Sequence, residues 1–174
     1  CSVSDNIEVS YTNGPQITLT GIDSVNCAGD STGSIYITVT GTASPFNYLW
    51  SGTNEPDPAH QTVEDFENWL AGVYSVDVTD TNGCVATLSD LTIGQPDPIS
   101  VSEAISNPLC AGENTGSIVL TPSGGTGTYS YVWEDDGVTI GDQNSINSLD
   151  SGSYIYTVND ANNCASSNTV IITP

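Results

Sequence analysis

The sequence contains one domain-length pattern twice, and this duplication limits the folds open to the chain. Residues 27–35 read CAGDSTGSI and residues 110–118 read CAGENTGSI, so seven of nine positions are identical at an offset of 83. Matching segments follow in the same order: 45–50 with 128–133, and 78–84 with 158–164. A repeat of this length is a whole domain rather than one turn of a solenoid. Tandem copies of one domain favour reach, display or assembly over catalysis.

Three parts are predicted along the chain. Residues 16–96 form a first repeat and residues 97–174 a second, joined near the two prolines of 95–98, which stiffen the connection. Residues 1–15 are the last strand of a preceding repeat or a strand donated to a neighbouring subunit. Cys1 precedes Cys27 by the same spacing by which Cys84 precedes Cys110, so Cys1 is predicted to be unpaired or bonded between repeats.

Residue periodicity predicts an all-β fold. Residues 33–41 and 72–79 alternate polar and β-branched or aromatic side chains, which is the pattern of a half-buried strand. Asn82-Gly83 supplies the left-handed backbone that a tight hairpin needs, and Asn163 takes the place of Gly83 in the second copy. We therefore predict tandem Ig-like antiparallel β-sandwich domains arranged as a rod.

Four aromatic residues predict how each sandwich is held together. Tyr74 and Tyr154 each lie two residues after a glycine at the start of a late strand, which resembles a tyrosine corner. Trp50 and Trp133 end the third strand of each repeat and are predicted to fill the core. Stacking of these tryptophans on a sugar is the alternative interpretation.

The repeats differ most at residues 61–70, which we interpret as one or two helical turns capped by Thr62. Variable segments on a constant scaffold often carry specificity. Phe66 and Trp69 are therefore candidate binding residues, and packing against the sandwich is the competing interpretation.

The charge balance excludes several partners. The chain has 21 acidic residues, no Lys and no Arg, for a net charge of −21. Binding to nucleic acid or to an anionic membrane surface relies on Lys and Arg, so neither is expected. The sequence has no apolar stretch long enough to insert into a membrane. Trypsin has no cleavage site even in the unfolded chain.

Oxygen-rich loops raise the hypothesis that calcium binds, although no cofactor is required by the sequence. Ca²⁺ prefers carboxylate and amide oxygens, and Asp and Asn are also the common residues of turns that bond their own backbone. Both interpretations stay open for the candidate residues Asp77, Asp80, Asn82, Asp160, Asn162, Asp30 and Glu113.

Cysteines bracket each repeat. The separation between Cys27 and Cys84 is nearly the same as that between Cys110 and Cys164. We predict one disulfide within each repeat, which would stabilise it by roughly 4 kcal/mol on the chain-entropy model. Such bonds indicate an oxidising, extracellular setting. Free buried thiols, or a bond between Cys84 and Cys110, are the alternatives.

No catalytic arrangement is recognisable. His60 is the only histidine, and no serine or cysteine nucleophile is spaced to use it. Metalloprotease, P-loop and dinucleotide-binding motifs are missing from the sequence. We predict that the protein is not an enzyme.

The order of these motifs resembles the SprB-type repeat of bacterial extracellular and gliding-motility adhesins. The resemblance rests on C-x-G-x-x-x-G-S-I at the start of each repeat and D-x-N-(G/N)-C near its end, and it covers 17–96 and 99–174. It implies a secreted, Ig-like sandwich repeated in tandem without catalytic residues. The chain departs from the pattern in lacking basic residues and in having Asn163 before the last cysteine.

The expected function is therefore a structural or adhesive segment of an extracellular bacterial surface fibre or giant adhesin. Its partners would be neighbouring repeats or subunits, a surface polysaccharide, or a host or substrate surface. Two alternatives are a self-assembling filament subunit linked by strand donation and a carbohydrate-binding module of a secreted protein.

Overall fold

The computed structural model describes residues 14–54 and 63–174, and within them it confirms the all-β prediction. Two compact units are present. The first runs to Val25 and resumes as Ser31–Gly94, whereas the second comprises Asn26–Asp30 and Gln95–Pro174. Cys1, His60 and most of the predicted donor strand lie outside the described residues. Among those described, no helix is long and apolar enough to cross a membrane.

The described residues of the first unit form two antiparallel three-stranded sheets. Its strands are β1 (Gln16–Asp23), β2 (Gly33–Thr40), β3 (Asn47–Gly52), β4 (Phe66–Trp69), β5 (Gly72–Thr79) and β6 (Val85–Ile93). One sheet has the order β1-β2-β4 and the other β3-β5-β6. These orders correspond to strands A-B-E and C-F-G of an Ig-like sandwich.

Over the described residues, the second unit has the same topology as the first and shows one further strand. Its strands are β7 (Ser100–Ser106), β8 (Gly116–Ser123), β9 (Ser130–Asp135), β10 (Val138–Gly141), β11 (Ser145–Leu149), β12 (Gly152–Asn159) and β13 (Ala165–Ile172). The sheets have the orders β11-β8-β7 and β10-β9-β12-β13. Strand β10 pairs with the edge of β9 through a short turn, because Asp136 and Gly137 both adopt positive φ.

A tryptophan lies at the centre of each core, as predicted. Trp50 is 1% exposed and Trp133 is fully buried. Their indole N–H groups donate to the Val63 carbonyl at 3.0 Å and to the Gln143 carbonyl at 2.8 Å. Because both rings are enclosed, neither offers a face on which a sugar could stack.

The predicted helix over 61–70 and the predicted binding role of Phe66 and Trp69 are both wrong for the described part of that segment. Residues 66–69 form strand β4, and Phe66 and Trp69 are buried. Two residues three apart in a regular strand would face opposite sides, but Asn68 has φ 65° and the pairing with β2 is irregular next to Gly33. Both rings therefore point into the core, where their centroids lie 3.7 Å apart.

Candidate functional site

The hairpin that joins β12 to β13 positions Cys164, and we name residues 160–164 the second cysteine hairpin. The Asp160 carboxylate is buried, and its Oδ1 accepts the backbone N–H groups of Asn162 and Cys164, each at 2.9 Å. Its Oδ2 accepts the N–H of Thr126 at 2.8 Å. The main chain closes the turn, since the Asp160 N–H donates to the Cys164 carbonyl at 3.0 Å.

These hydrogen bonds determine the charge state of Asp160. Burial alone would raise the pKa of this carboxyl, but the N–H groups of Cys164, Thr126 and Asn162 together outweigh burial and lower it. Asp160 is therefore ionised at neutral pH, and its two oxygens accept three N–H groups.

Residues 80–84, the first cysteine hairpin, repeat this geometry. Asp80 is buried, and its Oδ1 accepts the N–H groups of Asn82 and Cys84, each at 2.9 Å. The Asp80 N–H donates to the Cys84 carbonyl at 3.0 Å. Gly83 has φ 82° and Asn163 has φ 63°, so both take the left-handed backbone that the sequence predicted.

The turn after the first strand of each repeat carries the other cysteine, and we name residues 27–30 and 110–113 the first and second cysteine loops. The carbonyls of Cys27 and Cys110 accept the N–H groups three residues later, at 3.1 Å and 3.2 Å. Gly29 has φ 83° and Gly112 has φ 86°. The two loops thus have the same backbone conformation, as the near-identical sequences require.

A disulfide joins Cys27 to Cys164, with their Cα atoms 5.5 Å apart. The bond lies within the second unit, to which residues 26–30 belong. Next to it, the Asn162 side-chain amide donates to the Asn26 carbonyl at 3.2 Å, and the Gly29 N–H donates to Gln95 Oε1 at 3.2 Å. A cleft of about 370 Å³ beside the bond is lined by residues of both segments, including Asp30, Asp97 and Asn163.

The predicted pairings of Cys27 with Cys84 and of Cys110 with Cys164 are therefore wrong, and Cys84 and Cys110 are free thiols. Val25 lies just before the first cysteine loop, and its N–H donates to the carbonyl of Gly94, which directly follows β6. Cys84 directly precedes the start of β6, at the other end of the same strand.

The nine residues of β6 span roughly 30 Å, but the Cα atoms of a disulfide lie less than about 7 Å apart. Val25 and the first cysteine hairpin thus lie at opposite ends of the first unit. The second unit has the same arrangement, since the start of β8 lies beside the end of β13. A Cβ placed on Gly116, at the start of β8, would lie 3.2 Å from the side chain of Ile172, at the end of β13.

Comparison with known families gives the class of these repeats. Residues 19–54 and 102–138 each match the SprB repeat, and the starts of the two matches are separated by the offset of the internal duplication. The chain carries two SprB repeats. No curated protein matches the chain.

Several solved structures are similar to this chain at low sequence identity. The three N-terminal domains of the bacteriophage RB49 Hoc capsid protein are 16% identical over 94% of this chain and 59% of theirs, with a TM-score of 0.47. A C-terminal intimin fragment, solved in complex with the intimin-binding domain of the translocated intimin receptor Tir, is 14% identical over 90% of this chain and 64% of its own, with a TM-score of 0.45. The chain thus spans less than two thirds of either.

A tyrosine corner closes each SprB repeat, which confirms the prediction from the G-x-Y pattern. The Tyr74 hydroxyl donates to the Leu70 carbonyl at 2.8 Å, and the Tyr154 hydroxyl donates to the Asp150 carbonyl at 3.1 Å. Burial raises the pKa of both phenols, so both remain neutral donors.

The residues predicted to hold calcium are distributed over both SprB repeats. Asp77 Oδ1 accepts the Thr87 hydroxyl at 2.6 Å on a sheet surface, while Asp80 and Asp160 bind backbone N–H groups in different units. Over residues 14–54 and 63–174, no three His, Cys, Asp or Glu side chains come together to hold a metal ion. Calcium binding stays a prediction, and the turn-forming role of these aspartates is directly visible.

Proposed function

We propose that this chain is a structural and adhesive segment of an extracellular bacterial surface fibre and that it has no catalytic role. The observation that carries the proposal is the pair of SprB repeat matches at 19–54 and 102–138, each contained in its own Ig-like repeat. Surface adhesins use such repeats to extend and display binding regions, so duplication itself is the functional feature.

The structural roles of the duplicated residues support this proposal. Trp50 and Trp133 fill the cores, Tyr74 and Tyr154 bind backbone carbonyls, and the hairpin aspartates bind backbone amides. Each of these motifs stabilises a sandwich. A repeated catalytic group would instead place reactive side chains together in a cleft.

The disulfide and the composition support an extracellular location. Disulfides persist in oxidising compartments and are rare in the cytosol. The Cys27–Cys164 bond closes a separation of 137 residues, so it would contribute strongly in such a compartment. A chain without Lys or Arg also withstands trypsin-like proteases, which is an advantage outside the cell.

Labelling of intact cells tests the proposed location. An antibody raised against the purified chain should bind unpermeabilised cells, and proteinase K should remove the epitope. Trypsin provides the matched control, because it has no cleavage site within this chain. Binding that appears only after permeabilisation would refute a surface location.

An adhesion assay tests the second half of the proposal. Beads coated with the chain should attach to a polysaccharide or cell surface, and the soluble chain should compete. The control is the same chain after reduction and alkylation in denaturant, which keeps the charge and removes the fold. Equal attachment of folded and unfolded protein would show that charge, and not an adhesive surface, causes binding.

A further inference from the structure

The two free thiols occupy the repeat positions of the two bonded ones. Cys110 is the loop cysteine of the second repeat and corresponds to Cys27, and Cys84 is the hairpin cysteine of the first repeat and corresponds to Cys164. Among the described residues there is therefore one completed loop-to-hairpin disulfide and one unused copy of each half.

Both unused halves have the conformation of their bonded counterparts. In the hairpins, the aspartate-to-cysteine hydrogen bond is 2.9 Å for free Cys84 and 2.9 Å for bonded Cys164. In the loops, the turn that begins at free Cys110 closes at 3.2 Å, against 3.1 Å for bonded Cys27. Each half thus has the same conformation with and without a disulfide.

The free halves are also accessible. Cys110 is exposed, and the preceding Leu109 is 91% exposed. At the corresponding place in the first repeat, Asn26 contacts the bonded hairpin through the side chain of Asn162. Cys84 is half-buried, as Cys164 is, and so it too lies at the surface of its hairpin.

We propose that Cys110 and Cys84 are inter-repeat cross-linking sites, each of which takes another SprB repeat as its partner. Cys110 bonds to the hairpin cysteine of a neighbouring repeat, and Cys84 bonds to the loop cysteine of a different neighbour. The Cys27–Cys164 bond is the template for both. The neighbours belong either to the same polypeptide or to a second copy of the chain.

The cross-link forms by thiol–disulfide exchange with an oxidising disulfide, R–S–S–R, of a small thiol or an oxidoreductase. The thiolate of Cys110 attacks one sulfur, the R–S–S–R bond breaks, and one R–SH leaves after taking a proton. The partner's hairpin thiolate then attacks the Cys110 mixed disulfide and releases the second R–SH. Two protein thiols are oxidised and one R–S–S–R is reduced. Only the supply of this oxidant in the cell rests on the proposed extracellular function.

The first experiment uses the full chain with Cys1→Ser in every sample, because Cys1 has the spacing of a hairpin cysteine. C84S keeps Cys110, and C110S keeps Cys84. Each is incubated alone, and both are mixed, at about 1 mM in a glutathione redox buffer, a concentration comparable to that imposed by a short tether. Non-reducing gels then measure disulfide-linked dimers.

We expect about tenfold more dimer in the mixture than in either variant alone, with a Cys84–Cys110 peptide pair identified by mass spectrometry. Dimer that forms equally in the C84S sample alone would show non-specific coupling and would overturn the proposal. So would a mixture that stays monomeric, or a parent chain that closes an internal Cys84–Cys110 bond.

The second experiment maps disulfides in protein taken from its source, digested without reduction by a Glu-specific protease and chymotrypsin. Cys110 should be found bonded to a D-x-N-x-C peptide and Cys84 to a C-A-G peptide. A mass that falls on reduction assigns the bond to separate copies, and an unchanged mass assigns it to one polypeptide. Complete alkylation of both thiols before reduction would contradict the proposal, whatever the surface labelling shows.

Discussion

The carboxylate of Asp160 accepts the backbone N–H of Cys164 at 2.9 Å, so the aspartate fixes the residue whose sulfur forms the disulfide. Asp80 holds Cys84 at the same distance, although Cys84 has no bonded partner. The D-x-N-x-C motif therefore builds a rigid hairpin independently of the disulfide. The aspartate acts on the cysteine through the main chain.

Acid should weaken the second unit through Asp160. The pKa of this carboxyl is lower in the folded chain than its ordinary 3.8, so its contribution to stability is fully present above that ordinary value. The contribution is lost as the pH falls through the lowered folded value. Asp160→Asn should therefore lower the melting temperature at pH 7. The difference in melting temperature between this variant and the wild type should become smaller below about pH 4.

The exposed Asp136→Asn is the control for this experiment, since asparagine also tolerates the positive φ at that position. The comparison between variants matters because protonation also relieves repulsion among the 21 acidic groups. If D160N kept the full difference from wild type at pH 2.5, the ionised carboxylate would not be the source of that stability.

Removing one hydroxyl group should destabilise the first unit. Tyr74→Phe deletes the donor to the Leu70 carbonyl and should cost about 0.5–1.5 kcal/mol of unfolding free energy. Chemical denaturation monitored by tryptophan fluorescence measures this loss. Tyr36→Phe, a half-buried tyrosine of the facing sheet, should change the stability much less. Equal losses for both variants would argue against a special role for the corner.

The core tryptophan should matter more than any exposed residue. Trp50→Ala empties the centre of the first core and should cost roughly 3–5 kcal/mol. Leu49→Ala, at a neighbouring position that is 55% exposed, should change stability by less than about 0.5 kcal/mol. A small loss for W50A would mean that the core collapses around the missing ring.

Breaking the disulfide should destabilise the second unit. On the chain-entropy model, a closed separation of 137 residues stabilises the fold by up to about 5 kcal/mol. Cys27→Ser should therefore lower the melting temperature under oxidising conditions and should make the melt insensitive to reductant. Cys84→Ser removes a free thiol and should keep the sensitivity of the wild type. A C27S chain that still responds to reductant would contradict the observed pairing.

Calcium should have little effect on stability. The hairpin carboxylates already accept backbone N–H groups, and Ca²⁺ would need about six to eight oxygen ligands in their place. We expect calorimetric melts in EDTA and in calcium to coincide. A melting temperature that rises with calcium and falls again with EDTA would confirm the calcium hypothesis.

Local sequence patterns predicted the sandwich because each carries its own physical signal. Alternation in 72–79 indicates a strand with one buried face, and the tyrosine two residues after Gly72 indicates the corner. Strand β4 was not predicted because both of its end residues point into the core. That orientation depends on an irregular pairing with β2 and on the positive φ of Asn68. Such irregularity is a tertiary property that periodicity does not encode.

The disulfide escaped prediction for a related reason. Cys27 and Cys84 look like a natural pair along the sequence, but the length of β6 separates Cys84 from Val25, which precedes the Cys27 loop. The useful signal was the equal spacing that separates Cys84 from Cys110 and Cys1 from Cys27. That spacing shows that hairpin and loop cysteines recur as a set, although only the fold shows which two meet.

The Cys27–Cys164 bond also decides how the chain would respond to pulling. Tension applied before residue 27 and after residue 164 passes through the two sulfur atoms, so the intervening chain is bypassed while the bond persists. At roughly 3.3–3.6 Å per extended residue, those 137 steps store about 470 Å of contour length. The thiol redox state of the surroundings would then set how far the strand can extend before it breaks.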